Sequence, residues 1–182
     1  MTKADFFVKA IPAVLASGHV WPMYAVCEAA LESAWGGSKL AIEANNLFGQ
    51  KQGFVTAGFE TVEIETHEVL DYADKVKITT WPYGPPSLRT DRSGLWDCKV
   101  PATWPKLPDW EWSFRERMTL LSRMECYGEA LLAPTGEQFV RLVSLHWATD
   151  PKRADNVIAT HDCNRELLCE TLAAVQGKQA QA

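Results

Sequence analysis

Residues 30–51 read ALESAWGGSKLAIEANNLFGQK. An ionisable side chain, Glu32, stands one turn before Gly36-Gly37, at the end of an otherwise apolar helix. Upstream, Met23, Val26, Cys27, Ala30, Leu31 and Ala34 recur at helical spacing and make one apolar stripe. Pro22 suits the first turn of that helix, and the glycine pair is expected to end it. Residues 38–44 read as a short helix and Asn45-Asn46 as a turn, whose side chains can bond to nearby backbone.

Glu32 lies at the border of the stripe. Three effects are expected to favour its protonated form. The helix C-terminus carries partial negative charge. Glu28, one turn earlier on the same face, is a like charge. Trp35 and the following turn shield the carboxyl from water. A glycosidase general acid needs a raised pKa of this kind. The bland alternative is an exposed helix glutamate without a role, and helix pattern alone favours it.

Outward from this stretch, the chain of 182 residues suits one domain with a sizeable core. The net charge of -5 argues against a nucleic-acid partner and against attraction to anionic surfaces. No apolar run is long enough to span a bilayer. The N-terminal MTKADFFVKAIPAVLASGHV carries Asp5, Lys9 and Pro12 among its apolar residues, so it reads as an amphipathic helix of the fold, not a signal peptide. Thr2 and Asp5 are set to open it. The five cysteines form no CxxC pair or Cys/His cluster, and most are expected as reduced thiols with one disulfide left open.

Downstream the period changes. ETVEIET and KVKITTW both alternate and are read as a β-hairpin joined by HEVLDYAD, with Glu63 and Glu65 facing Lys75 and Lys77. Residues 82–112 hold five prolines after Pro82 and the tryptophans Trp96, Trp104, Trp110 and Trp112, so they are read as a long ordered loop, not a linker. The segment KVPATWP echoes KVKITTWP and leaves room for a second small hairpin. The tryptophans suit packing and glycan stacking equally. Ser113 with Glu116 reads as a capping box starting a helix to about Tyr127, and Thr135 with Gln138 as another, starting a helix to about Trp147. Asp150-Pro151 is expected to start one last helix. The four histidines are read as surface or cap residues. The domain is expected over residues 1–176, with a Trp/Pro-rich insertion at about 82–112 and a frayed tail at 177–182.

The quoted stretch resembles the ALESGWG-S-LA---NNLFG-K signature of the bacterial glucosaminidases, peptidoglycan hydrolases of glycoside hydrolase family 73. The similarity extends upstream through FFVKAIPAVLASGHVWPMYAVCEAALES. It returns at TVEIETHEVL, against a T-x-E pattern, and at HWATDPKRADNVI, against YATDP-YA-K-I. It covers most of the chain outside residues 82–112. The resemblance implies an α+β, mainly α, lysozyme-like domain with a small β-hairpin lobe. It implies hydrolysis of the β-1,4 bond after N-acetylglucosamine in peptidoglycan glycan strands. Carried over by position, Glu32 is the catalytic acid and Glu68 the second acidic position. Trp35, Asn45, Asn46, Phe48 and Trp147 fall beside the glycan groove. No metal or organic cofactor, nucleic acid or membrane is implied, and a monomer is expected. The absence of an evident leader fits a protein made in the cytoplasm and acting at the wall, as a phage-type lysin or exported effector.

The sequence departs from that pattern at Trp147, where tyrosine is usual, at Glu28, where glutamine is usual, and at Lys152-Arg153, in place of x-Tyr. Two rival readings remain beside the glucosaminidase: a lytic transglycosylase or muramidase on the same fold, and a glycan-binding pseudoenzyme.

Overall fold

Thr2 opens α1 (Lys3–Ser17): its Oγ1 accepts the Asp5 backbone N–H, and the Asp5 carboxylate accepts the Thr2 N–H in return. This is a computed structural model, and it describes residues 1–179 apart from Ala57, Arg92, Ala148 and Thr149, with only the backbone of residues 178 and 179. The apolar face of α1 buries Phe6, Phe7, Ala10, Ile11 and Val14. The N-terminal segment is thus part of the core, with Pro12 accommodated inside the helix.

α2 (Pro22–Glu32) starts with proline in its first turn, where the missing N–H costs nothing. It buries Ala25 through Ala30 without interruption, Glu28 included, while Leu31 is 40% exposed. The buried surface is therefore wider than the expected stripe, and shifted from it. The helix ends at Glu32, before the glycine pair. Ala34, Trp35 and Gly36 follow with φ of 50°, 57° and 72°. Three left-handed residues in a row cannot continue a helix. α3 (Lys39–Ala44) is capped by Ser38, whose Oγ accepts the Ala41 N–H at 3.1 Å, and ends at Asn45 in the left-handed region.

The β lobe differs from the expected hairpin. β1 (Thr61–Asp71) pairs antiparallel with β3 (Leu95–Pro105), and the two-residue β2 (Ser87–Leu88) adds to the far side of β3. The segment 75–81 is not a strand. Asp71 accepts the Asp74 N–H at 2.8 Å and caps the short α4 (Tyr72–Lys75), which turns the chain out of strand geometry. The partner strand comes instead from the Trp/Pro-rich region, whose residues 95–105 also alternate: Cys98 and Trp104 are buried while Lys99, Pro101 and Thr103 are exposed. The expected Glu/Lys complementarity survives with another lysine, as Glu65 lies 3.6 Å from Lys99, while Lys77 pairs with Asp74 at 2.6 Å.

α5 (Trp110–Arg123) begins before the expected capping box. Asp109 takes the cap, accepting the Trp112 N–H at 2.9 Å. Ser113 and Glu116 are thereby freed for longer-range work: Ser113 Oγ accepts the Leu47 N–H at 2.9 Å, and Glu116 accepts the Thr56 N–H at 2.9 Å and hydroxyl at 2.6 Å. After α6 (Gly128–Leu131), Thr135 accepts the Gln138 N–H at the start of α7 (Gly136–Trp147), as its pattern indicated. The expected last helix is two: α8 (Arg153–Cys163) and α9 (Arg165–Gln179). Residues 180–182 of the expected frayed tail lie outside the described residues.

The core lies among α1, α2, α5, α7 and α8, with Phe6, Phe7, Phe114, Leu121 and Phe139 all buried. Trp110, 3% exposed, packs its ring 5.2 Å from Phe6, and Trp104 is likewise buried. Trp112 sits half-buried against Phe59, and Trp96 under Lys75. All five cysteines are free thiols. Among the described residues, no helix is long and apolar enough to cross a membrane.

Candidate active site

The end of α2 is fixed by a serine. Ser33, 1% exposed, donates its hydroxyl to the Ala29 carbonyl at 2.6 Å and accepts the Gly36 N–H at 2.8 Å. The Ser38 N–H closes the turn onto the Ser33 carbonyl at 2.8 Å. A side chain at Gly36 would place its Cβ 3.0 Å from the Trp110 ring, besides requiring positive φ. The residue before this lock is Glu32, so its Cα is held at a rigid helix terminus.

Around Glu32 the sequence assembles two carboxylates and two guanidiniums. Glu28 is 2% exposed, and a single oxygen, Oε1, accepts hydrogen bonds from both Arg117 Nη2 and Arg153 Nη2. Arg153 also donates from Nε to Glu32 Oε1 at 3.0 Å and from Nη1 to Ser144 Oγ at 2.9 Å. Arg117 is fully buried and lies 3.5 Å from the centroid of the Trp147 ring. Burial pushes the Glu28 carboxyl up, but the two arginines outweigh it and hold it below its ordinary value. For Glu32 the balance is reversed. Burial raises its pKa, Arg153 opposes, and the Glu28 charge adds to the rise. The direction is the expected one, with burial ahead of the neighbouring carboxylate as its cause. His19, beneath this cluster, is pushed down to about 4 by burial; its Nδ1 accepts the Trp21 N–H at 3.1 Å.

Glu32 borders two cavities. The larger, about 540 Å³, is formed with Lys3, Trp35, Arg153, Asn156, Thr160 and Cys163 among others. The second, about 290 Å³, is walled by α3, the turn after it, β1 and β3, through Asn46, Phe48, Glu65, His67 and Trp104. With 31% of its side chain exposed, Glu32 is reachable from solvent.

The other sequence candidates divide. Trp35 lines the larger cavity, with its ring 5.7 Å from Phe6 and 5.5 Å from Phe7. Asn46 and Phe48 line the second. Asn46 is 1% exposed and closes its turn by donating to the Gln50 carbonyl at 2.8 Å and accepting the Gln50 N–H at 3.1 Å. Asn45 lines neither; its amide donates to the Leu107 and Pro108 carbonyls, tying α3 to the approach to α5. Glu68 lies on β1 with Lys51 Nζ 2.8 Å from its Oε1, and it too lines neither cavity. Glu65, three residues earlier and on the opposite face of β1, does line the second. Trp147 belongs to a separate depression of about 320 Å³ with Tyr127, Met124 and His146. Within the HWATDPKRADNVI motif, Ala148 and Thr149 lie outside the described residues.

Arg117 and the contact of Arg153 with Glu32 were not evident from the sequence. The signal available was Glu28 itself, since a carboxylate among small apolar helix residues needs a buried cation.

Comparison with known proteins agrees with this architecture. The sequence model for mannosyl-glycoprotein endo-beta-N-acetylglucosaminidase, the glucosaminidase family, matches residues 9–166, and the chain belongs to that family of glycoside hydrolases. The exo-glucosaminidase LytG of Bacillus subtilis (strain 168) is 47% identical over 51 residues, which make 28% of this chain and 17% of LytG. The glycoside hydrolase domain of Salmonella typhimurium FlgJ superposes with a TM-score of 0.65 at 22% identity, covering 100% of both chains. The catalytic domain of the autolysin Auto from Listeria monocytogenes gives 0.64 at 20% identity, over 92% of this chain and 87% of that one. The peptidoglycan hydrolase of Sphingomonas sp. A1 gives 0.64 at 21%, over 92% and 94%. The fold is therefore lysozyme-like, mainly helical α+β, as the resemblance implied.

Proposed function

We propose that residues 1–176 act as one catalytic domain that hydrolyses the β-1,4 bond after N-acetylglucosamine in peptidoglycan glycan strands, with Glu32 as general acid. The observation that carries this reading is the placement of Glu32: a carboxyl with raised pKa, on a locked helix end, at the meeting of two cavities. A polysaccharide acid must hold a proton at neutral pH and stand where the chain passes on both sides of the scissile bond. Two structural relatives, an autolysin and a peptidoglycan hydrolase, support the choice of wall glycan as substrate.

Glu32 protonates the glycosidic oxygen as the bond to the anomeric carbon breaks. Glu68, kept near Lys51 on the β lobe, is the candidate to activate the hydrolytic water; alternatively the substrate's acetamido oxygen attacks the anomeric carbon as the glycosidic bond breaks, and water then opens the resulting oxazolinium ion. Trp35 and Phe48 are proposed to offer apolar surface to sugar rings in the two cavities, and Asn46 to hold the floor between them. Asn45 supports that floor through its tether. Trp147 is proposed to act on glycan binding indirectly, because Arg117 occupies one face of its ring.

Mass spectrometry of digested peptidoglycan tests the reading. Products with a reducing N-acetylglucosamine end are expected. Muramic or anhydro-muramic ends would assign the chain to muramidase or transglycosylase chemistry, and binding without new ends would make it a glycan-binding protein.

A further inference from the structure

Among the described residues, Arg153 is the one side chain that hydrogen-bonds both acidic residues of α2. It is 7% exposed and uses all three of its nitrogens: Nη2 on Glu28, Nη1 on Ser144, and Nε on Glu32 Oε1. A guanidinium with two of its nitrogens bound to a buried carboxylate and a hydroxyl has a fixed plane, so the direction of its third N–H is fixed too. That N–H meets only Oε1 of Glu32. Among the described residues, Oε2 of Glu32 has no hydrogen-bond partner.

On these contacts we propose that Arg153, anchored by Glu28, is the positioning residue of the catalytic acid: it holds Oε1 as an acceptor and leaves Oε2 to carry the transferable proton toward the glycosidic oxygen. The inference rests on Glu32 being the acid and names what orients it. Glu28 is the necessary counter-charge. Without it, Arg153 and Arg117 would face Glu32 as two uncompensated cations and keep it ionised. With it, the cluster carries two negative and two positive groups when Glu32 is ionised, and one net positive charge when Glu32 holds its proton. Arg117 completes the anchor by holding Glu28 from α5 while stacked on Trp147.

Other charged groups face Glu32 from the cavity walls: Lys3 of α1, Lys39 of α3, Glu65 and His67 of β1, and Asp150 before α8. All of these stay unchanged in the variants below, so differences among their profiles report Arg153 and Glu28.

The test combines a carbon-13 carboxyl NMR titration of Glu32, assigned with Glu32→Gln, with pH-rate profiles on one wall preparation. Arg153→Gln leaves Glu28 paired with Arg117. Glu32 should then titrate about one unit higher, and the alkaline limb of activity should move up with it, while the plateau rate falls roughly tenfold from lost orientation. Arg153→Lys keeps the charge but has one nitrogen, so its limb should stay near wild type while its plateau is as low as that of Arg153→Gln. Glu28→Gln should move the titration and limb down; if it fails to fold, the two Arg153 variants decide alone. Wild-type titration and plateau in Arg153→Gln would overturn the positioning role. A shifted titration with an unmoved limb would instead overturn Glu32 as the acid, and the two failures are thereby distinguished.

Discussion

Replacing Glu32 by Gln keeps the size of the side chain and an oxygen that can accept from Arg153 Nε, but removes the proton to be donated. Turnover on peptidoglycan should fall by about 10²–10⁴, the usual worth of general acid catalysis. The melting temperature should stay close to wild type, and a variant with near wild-type turnover would end the assignment. Two readings of the sequence meet here. That a carboxyl at this helix end has a raised pKa was legible from Glu28 and the turn. That Glu28 is itself sunk in a pair of arginines was not, because Arg117 and Arg153 lie 89 and 125 residues away in sequence. Glu28, Trp147 and Arg153, each a departure from the resemblance, meet around Arg117.

At the scale of elements, β1 carries Glu68, proposed above to activate water, and α5 supports the turn after α2. Glu68→Gln should lower turnover less than Glu32→Gln on the same substrate, since attack by the substrate's acetamido oxygen on the anomeric carbon can bypass an enzymic base. Equal loss in two well-folded variants would make Glu68 a full partner. Trp110, by contrast, is a structural part. It sits under Gly36 and against Phe6, so Trp110→Ala should cost about 3–5 kcal/mol in denaturant unfolding, as for other buried aromatics. Weaker glycan binding by a variant of unchanged stability would return it to the substrate surface. In the misassigned hairpin two segments alternate equally well; the Asp71 cap turns the chain into α4 between β1 and the nearer one, and the ladder forms with residues 95–105.

Across the whole molecule, stability should fall on acidification. His19 is held at about 4 in the fold against an ordinary 6.5, so its neutral form contributes fully above pH 6.5, and that contribution is lost as pH falls from 6.5 toward 4. The loss is up to about 3 kcal/mol. Glu28, lowered by its arginines, acts in the same direction: its contribution is present above the ordinary carboxylate value and is lost as pH drops through its folded value. Glu32, raised, works oppositely, contributing below its ordinary value and losing that contribution as pH rises through its folded one. Denaturant unfolding measured from pH 7 to pH 4 should show the decline, and His19→Asn, which can keep an acceptor for the Trp21 N–H, should flatten it. An unchanged slope in that variant would place the acid sensitivity elsewhere.

The sequence by itself determined what depends on neighbours along the chain: the helix ending at Glu32, the caps at Thr2 and Thr135, the Asn45-Asn46 turn, and the family signature. These are local because capping, left-handed turns and helical periodicity act within a few residues. Only the tertiary structure decided which strand pairs with β1, which cations neutralise Glu28, and which oxygen of Glu32 is held. Those choices turn on the burial of charge and on ladder pairing between distant segments. Several partners are chemically equivalent in the sequence, and three-dimensional packing selects one.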